Sequence, residues 1–189
     1  MKNLTQRDIQ HIIQLHEQGD YKSAIKQAQS FIKHLPNEIF LWNILGACFE
    51  KTGDLINAQK SYEQALIINN QIPEIIFNLG AVKFNLNDSQ GALDCYDRAI
   101  RIRPDFVEVF FNKGILFQQL GNFEEAIVNY QKAIQLQPGF YEAFNNMGSV
   151  YQQQGRLDEA IDIYRQSLMI AKVARTHFNL AGALRNKVN

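Results

Sequence analysis

Along this chain a residue suited to a left-handed turn returns every 34 positions, as Gly19, Gly53, Asn87, Gly121 and Gly155, without a slip. A second series, Gly46, Gly80, Gly114, Gly148 and Gly182, keeps the same spacing. A fixed period of this length means one supersecondary unit copied along the chain, each copy too small to bury its apolar face unless it stacks on its neighbours. With Gly19 at position 15 of the unit, the repeats run 5–38, 39–72, 73–106, 107–140 and 141–174, followed by a half-repeat at 175–189. The expectation is a single array over 5–189.

Apolar residues at positions 4, 7, 8 and 11, then 17, 20, 21, 24, 27 and 28, step by three and four, the spacing of one helical face. Each unit therefore reads as two amphipathic helices. Position 15 lies between them and needs the left-handed backbone that glycine adopts freely and asparagine tolerates, so Asn87 replaces glycine without breaking the turn. Glycine at position 8, inside a helix, costs about 1 kcal/mol against alanine, and close approach of another helix is the compensating reason. Alanine recurs at position 20 (Ala24, Ala58, Ala92, Ala126, Ala160) and large residues at position 4 (Trp42, Ile76, Phe110, Phe144, Phe178), so large faces small throughout. Tyr62, Tyr96, Tyr130 and Tyr164 occupy position 24, Ala65, Ala99, Ala133 and Ser167 position 27, and Pro36, Pro104 and Pro138 position 32, where proline ends the second helix.

These columns resemble the tetratricopeptide-repeat signature over essentially the whole chain. The resemblance implies an all-α fold, a right-handed α-solenoid of helix-turn-helix units whose first helices line the inner wall. Both ends depart from the pattern. Repeat 1 has Asp8 where the bulky residue belongs, Ile12 for glycine, and Ala28 and Phe31 with large and small exchanged, so its first helix is the element least supported by the sequence. Repeat 5 has Lys172 in place of proline, and the last unit begins with Phe178 and Gly182 in register but has no second helix. That half-repeat is either the cap of the array, as the polar Asn186-Lys187-Val188-Asn189 suggests, or the start of a further unit in a longer protein, and its uncovered side is a possible surface for self-association.

Composition excludes several functions. Nineteen basic residues balance nineteen acidic ones, so the positive stripe that draws nucleic acid or anionic lipid is absent. The polar start Met-Lys-Asn-Leu-Thr-Gln-Arg-Asp has no signal-peptide core, and no apolar run reaches the length of a membrane span, which points to the cytoplasm. Cys48 and Cys95 fit neither a disulfide framework nor a metal site and read as free, buried thiols. His11, His16, His34 and His177 are scattered, with no partner at ligand spacing, and every glycine belongs to a turn or a packing column. The chain is expected to hold no metal or cofactor and no catalytic site.

Function is left to the wall built by positions 2, 5, 6, 9, 12 and 13 of the first helices. Asn78, Asn112 and Asn146 recur there at position 6, and Asn43, Asn145 and Asn179 at position 5. An amide donates and accepts together, which suits the paired groups of an extended peptide backbone. The pattern resembles the asparagine ladder in the repeat region of O-linked N-acetylglucosamine transferase, and the resemblance implies a main-chain clamp; the alternative is that these are solvated polar residues. Phe77 and Phe111 border the ladder and read either as apolar anchors for a ligand or as packing between first helices. Glu74, Glu108 and Glu142 at position 2 sit where a helix N-terminus favours acid anyway, and Lys83 and Lys113 read as snorkelling stems. Ile9 and Ile13 stand where the repeat modules that grip acidic chaperone tails carry asparagine or lysine, which argues against that ligand.

Two functions follow. One is a non-catalytic scaffold binding an extended peptide or partner protein on its inner wall. The other is the substrate-recruiting arm of a larger glycosyl- or sulfotransferase, suggested by the resemblance of the stretch from Phe40 to Ala47 to the repeats fused to such enzymes; a reading frame continuing past Asn189 would favour it.

Overall fold

The computed structural model describes residues 4–188, so that part of the N-terminal reading and the last residue of the polar tail, Asn189, lie outside the described residues. Among these residues there are eleven α-helices and no strand. They are α1 (Gln6–Glu17), α2 (Tyr21–Ile32), α3 (Ile39–Lys51), α4 (Leu55–Ile68), α5 (Pro73–Asn85), α6 (Ser89–Ile102), α7 (Val107–Gln119), α8 (Phe123–Leu136), α9 (Tyr141–Gln153), α10 (Leu157–Ile170) and α11 (Ala174–Val188). They fall into two compact units, Met1–Pro104 with three hairpins and Asp105–Asn189 with two hairpins and α11.

The turn inside each hairpin is built as the period requires. Gly19, Gly53, Gly121 and Gly155 have φ between 73° and 80°, and Asn87 takes the same left-handed conformation at 63°. The residue that follows starts the second helix: Asp20, Asp54 and Asp88 accept hydrogen bonds from the backbone N–H groups of Ser23, Asn57 and Gly91, at 3.2, 3.2 and 2.9 Å. This satisfies one of the donors left free by a helix N-terminus.

The position-8 glycines face the position-24 tyrosines. A Cβ built on Gly46, Gly80, Gly114 or Gly148 would stand 2.5 to 2.7 Å from the ring of Tyr62, Tyr96, Tyr130 or Tyr164 respectively. The column is therefore a contact between the two helices of one hairpin, which offsets its helix-propensity cost. Repeat 1 reverses the arrangement. Ile12 and Ala28 are both fully buried, so the bulk comes from the first helix and the gap from the second. Asp8 also has a structural reason: with Thr5 it forms a reciprocal capping box, Asp8 N–H donating to Thr5 Oγ1 at 3.2 Å and Thr5 N–H to Asp8 Oδ2 at 3.0 Å.

Three expectations are corrected. The buried stripe of the first helices is wider than positions 4, 7, 8 and 11: Leu41, Val109 and Ala143 at position 3, and Val82, Leu116 and Val150 at position 10, are wholly buried. The reason is visible inside each unit, where α3 packs against both α2 and α4, and α9 against both α8 and α10. Proline is not what stops the second helices. Asn69 and Ala171 are extended cap residues at φ −144° and −143° although no proline follows either, and Arg103 and Gln137, which do precede proline, end their helices at the same place in the repeat. Finally, Cys95 is half-buried while Cys48 is 1% exposed; both are free. Burial pushes the Cys48 thiol up to about 11.

Candidate peptide-binding face

In the first unit the position-5 and position-6 residues of α3 and α5 are Asn43, Ile44, Phe77 and Asn78, all half-buried. The Oδ1 atom of Asn43 is buried with no hydrogen-bond partner among the described residues. Phe77 leans on Tyr96, ring centroids 6.0 Å apart, so its inner edge packs against its own hairpin and only part of the ring meets solvent. Lys83 runs its stem along the helix and pairs with the capping carboxylate of Asp88 at 3.3 Å, a snorkelling geometry. Glu74 is held by Arg103 at 2.6 Å, so its charge is largely spent inside the unit.

The second unit carries a connected polar network on the same face. The Tyr130 hydroxyl donates to Gln118 Oε1 at 2.8 Å. Gln118 Nε2 lies 3.5 Å from Ser149 Oγ, which in turn accepts from Gln153 Nε2 at 3.3 Å. Tyr164 repeats the motif one hairpin on, donating to Gln152 Oε1 at 3.0 Å. Burial raises both phenols above their ordinary range, Tyr164 to about 12. The partner of the tyrosine thus comes from position 12 of the first helix, and Glu50 fills the same role for Tyr62 at 3.3 Å. A glutamine or glutamate at position 12 in each of these repeats was the sequence signal for this clamp.

The asparagines separate into two groups. Asn145 is 3% exposed and lies in the interior of the second unit, where its Oδ1 accepts from Asn179 Nδ2 at 3.2 Å. This pair links α9 to α11. Asn112 and Asn146, at position 6, are half-buried on the face itself, as Asn78 is in the first unit. Phe111 stacks 4.7 Å from Phe140 and 5.9 Å from Tyr130, half-buried like Phe77. Lys113 lies with Nζ 5.9 Å from the Phe117 ring. Glu108 and Glu142 occupy the first turns of α7 and α9, where the helix dipole favours them.

Models of the TPR repeat match residues 84–121 and 116–155, and models of the tetratricopeptide repeat match 41–71 and 141–172. The chain belongs to the tetratricopeptide-repeat family. No curated protein matches it in sequence. Among solved structures it is similar to MamA, at 25% identity over 84% of this chain and 93% of that one with a TM-score of 0.79. It is similar in fold to PilW, described as a widely conserved type IV pilus biogenesis factor, at 23% identity over 97% and 88% with a TM-score of 0.85. YrrB, described as a TPR protein with an unusual peptide-binding site, shares the fold at 19% identity over 96% and 91% with a TM-score of 0.75. Tetratricopeptide repeats of this kind are protein-interaction scaffolds, and no helix among the described residues is long and apolar enough to cross a membrane.

Proposed function

We propose that the chain is a non-catalytic scaffold whose first-helix face in each unit holds extended peptide main chain, through Asn78 beside Phe77 in the first unit and through Asn112 and Asn146 beside Phe111 in the second. The observation that carries this reading is the half-buried placement of Asn112 and Asn146 on the first-helix face of the second unit. Neither amide is packed into the interior as Asn145 is, and each carries a donor and an acceptor that suit the paired groups of a peptide main chain. Phe111, fixed between Tyr130 and Phe140, offers a rigid apolar edge beside Asn112 at small entropic cost. Asn145 and Asn179 act differently in this reading: they tie α11 to α9 and position the face without touching ligand.

A contact of this type reads backbone more than sequence, and the ordering of a flexible peptide consumes part of the interaction energy, so affinity in the micromolar range is expected. The test is a peptide array probed with the native chain and with the Asn78→Ala, Asn112→Ala, Asn146→Ala triple variant, circular dichroism establishing that both are folded. Loss of peptide binding by a folded triple variant supports the reading. Unchanged binding places the function elsewhere on the molecule.

A further inference from the structure

On the opposite side of the first unit, where second helices α2 and α4 flank α3, lies a cavity of 560 Å3. Its floor is apolar: Ile32 from α2, and Trp42, Leu45 and Phe49 from α3. Its rim carries Lys33 and Lys60, both exposed, and among the described residues no carboxylate lines it. The volume lies within the range of ordinary ligand pockets, about 300–1,000 Å3.

Two further observations bear on this place, the first of which sets it apart from its counterpart in the third repeat. In the third repeat the residue equivalent to Gln64 is Arg98, whose guanidinium crosses to the Asn70 carbonyl and spans the corresponding gap. Gln64, at the edge of the cavity, is shorter and leaves it open. The floor is also held rigid, because the Trp42 indole N–H donates to the Pro36 carbonyl at 2.7 Å, which fixes the ring plane.

We propose that this cavity is a second binding site, distinct from the first-helix face, that takes a short acidic peptide segment inserting one leucine- or phenylalanine-sized side chain between flanking carboxylates. The apolar floor takes the side chain. Lys33 and Lys60 meet the carboxylates on either side, and the amides of Gln29 and Gln64 are placed to bond the peptide backbone. Two unpaired cations over an apolar slot repel a basic segment as much as they attract an acidic one, which supplies selectivity.

The chain has a single tryptophan, and it forms the floor, so its emission reports this site alone. The probe is an acetylated, amidated hexapeptide with leucine-phenylalanine between two pairs of aspartates, titrated into the full chain. The expected result is a saturable blue shift that is lost when the central pair becomes alanine or the aspartates become lysine. Lys33→Glu combined with Lys60→Glu should weaken binding roughly tenfold or more, since the two rim charges reverse sign. The Asn78→Ala, Asn112→Ala, Asn146→Ala variant should bind this peptide unchanged, which separates the site from the first-helix face. No saturable response up to millimolar peptide overturns the proposal. So do equal responses to the aspartate and lysine peptides, an undiminished response in the folded charge-reversal variant, or a response to decanoate but not to the peptide.

Discussion

Gly148 and Gly182 hold the same place in the repeat, yet alanine should act on them in opposite directions. Both lie inside helices, α9 and α11, where alanine is favoured over glycine by about 1 kcal/mol. At Gly148 a Cβ would stand 2.7 Å from Cε1 and 2.8 Å from Cδ1 of Tyr164, roughly 0.8 Å inside ordinary carbon–carbon contact. The ring cannot retreat, because Tyr164 is 1% exposed and its hydroxyl is held by Gln152. Forcing extra bulk into such a contact costs about 1–3 kcal/mol. After the helix-propensity gain the net effect of Gly148→Ala should lie between about zero and 2 kcal/mol of destabilisation. At Gly182 the nearest atom is Gln152 Nε2 at 3.7 Å, an ordinary contact, and only the gain of about 1 kcal/mol remains. Thermal unfolding followed by circular dichroism at 222 nm should therefore order the proteins Gly182→Ala, native, Gly148→Ala from most to least stable. A Gly148→Ala variant more stable than the native chain, or a Gly182→Ala variant less stable, refutes the assignment of this column to helix–helix contact.

The reversed pair in repeat 1 should be energetically coupled: Ile12→Gly and Ala28→Tyr each destabilise, by cavity and by overpacking, and the double variant should recover about 0.5–3 kcal/mol of their sum in a double-mutant cycle. Asp54→Ala removes the acceptor for the Asn57 N–H and should cost about 0.5–2 kcal/mol in urea unfolding, whereas Asp54→Asn should cost less. Alkali should destabilise the fold. Burial raises the Cys48 thiol from 9.0 to about 11 and the Tyr164 phenol from 10.0 to about 12, so the folded state holds these protons longer than the unfolded chain does. Their contribution is complete below pH 9.0 and is lost as the pH rises through about 11 and about 12, to be followed as the melting temperature between pH 8 and 12; Cys48→Ala should lessen the decline at its lower end.

The features legible in the sequence were those that recur in register. The 34-residue period placed every hairpin, and it gave Asn87 its left-handed backbone, because a turn repeated five times leaves little choice of conformation. Features that depend on a partner's position were harder to see. Positions 3 and 10 lay outside the stripe read from the period, and their burial follows only once α3 is seen packed on both sides, just as Asp8 read as a broken column until Thr5 is seen bonded to it. The asparagines show the same limit: adjacent positions 5 and 6 differ by one helical step, yet that step takes Asn145 into the interior and leaves Asn146 on the face. Phe77 and Phe111 were read as ligand anchors or as packing between first helices, and each ring rests instead on the position-24 tyrosine of its own second helix while remaining half-buried. The cavity beside Trp42 was not read from the sequence, because whether these columns leave a gap depends on side-chain reach: Gln64 leaves it open where Arg98, one repeat later, reaches the Asn70 carbonyl.

The central claim is that peptide main chain meets the position-6 amides. It is tested most directly by nuclear magnetic resonance of chain labelled with 15N at asparagine, titrated with the strongest peptide from the array. The account expects the side-chain amide signals of Asn112 and Asn146 to shift with one common affinity, and that of Asn78 to shift as peptide occupies the first unit, while those of Asn57 and Asn129, on second helices, stay still. Shifts confined to the second-helix asparagines, with the position-6 signals unmoved, would contradict it.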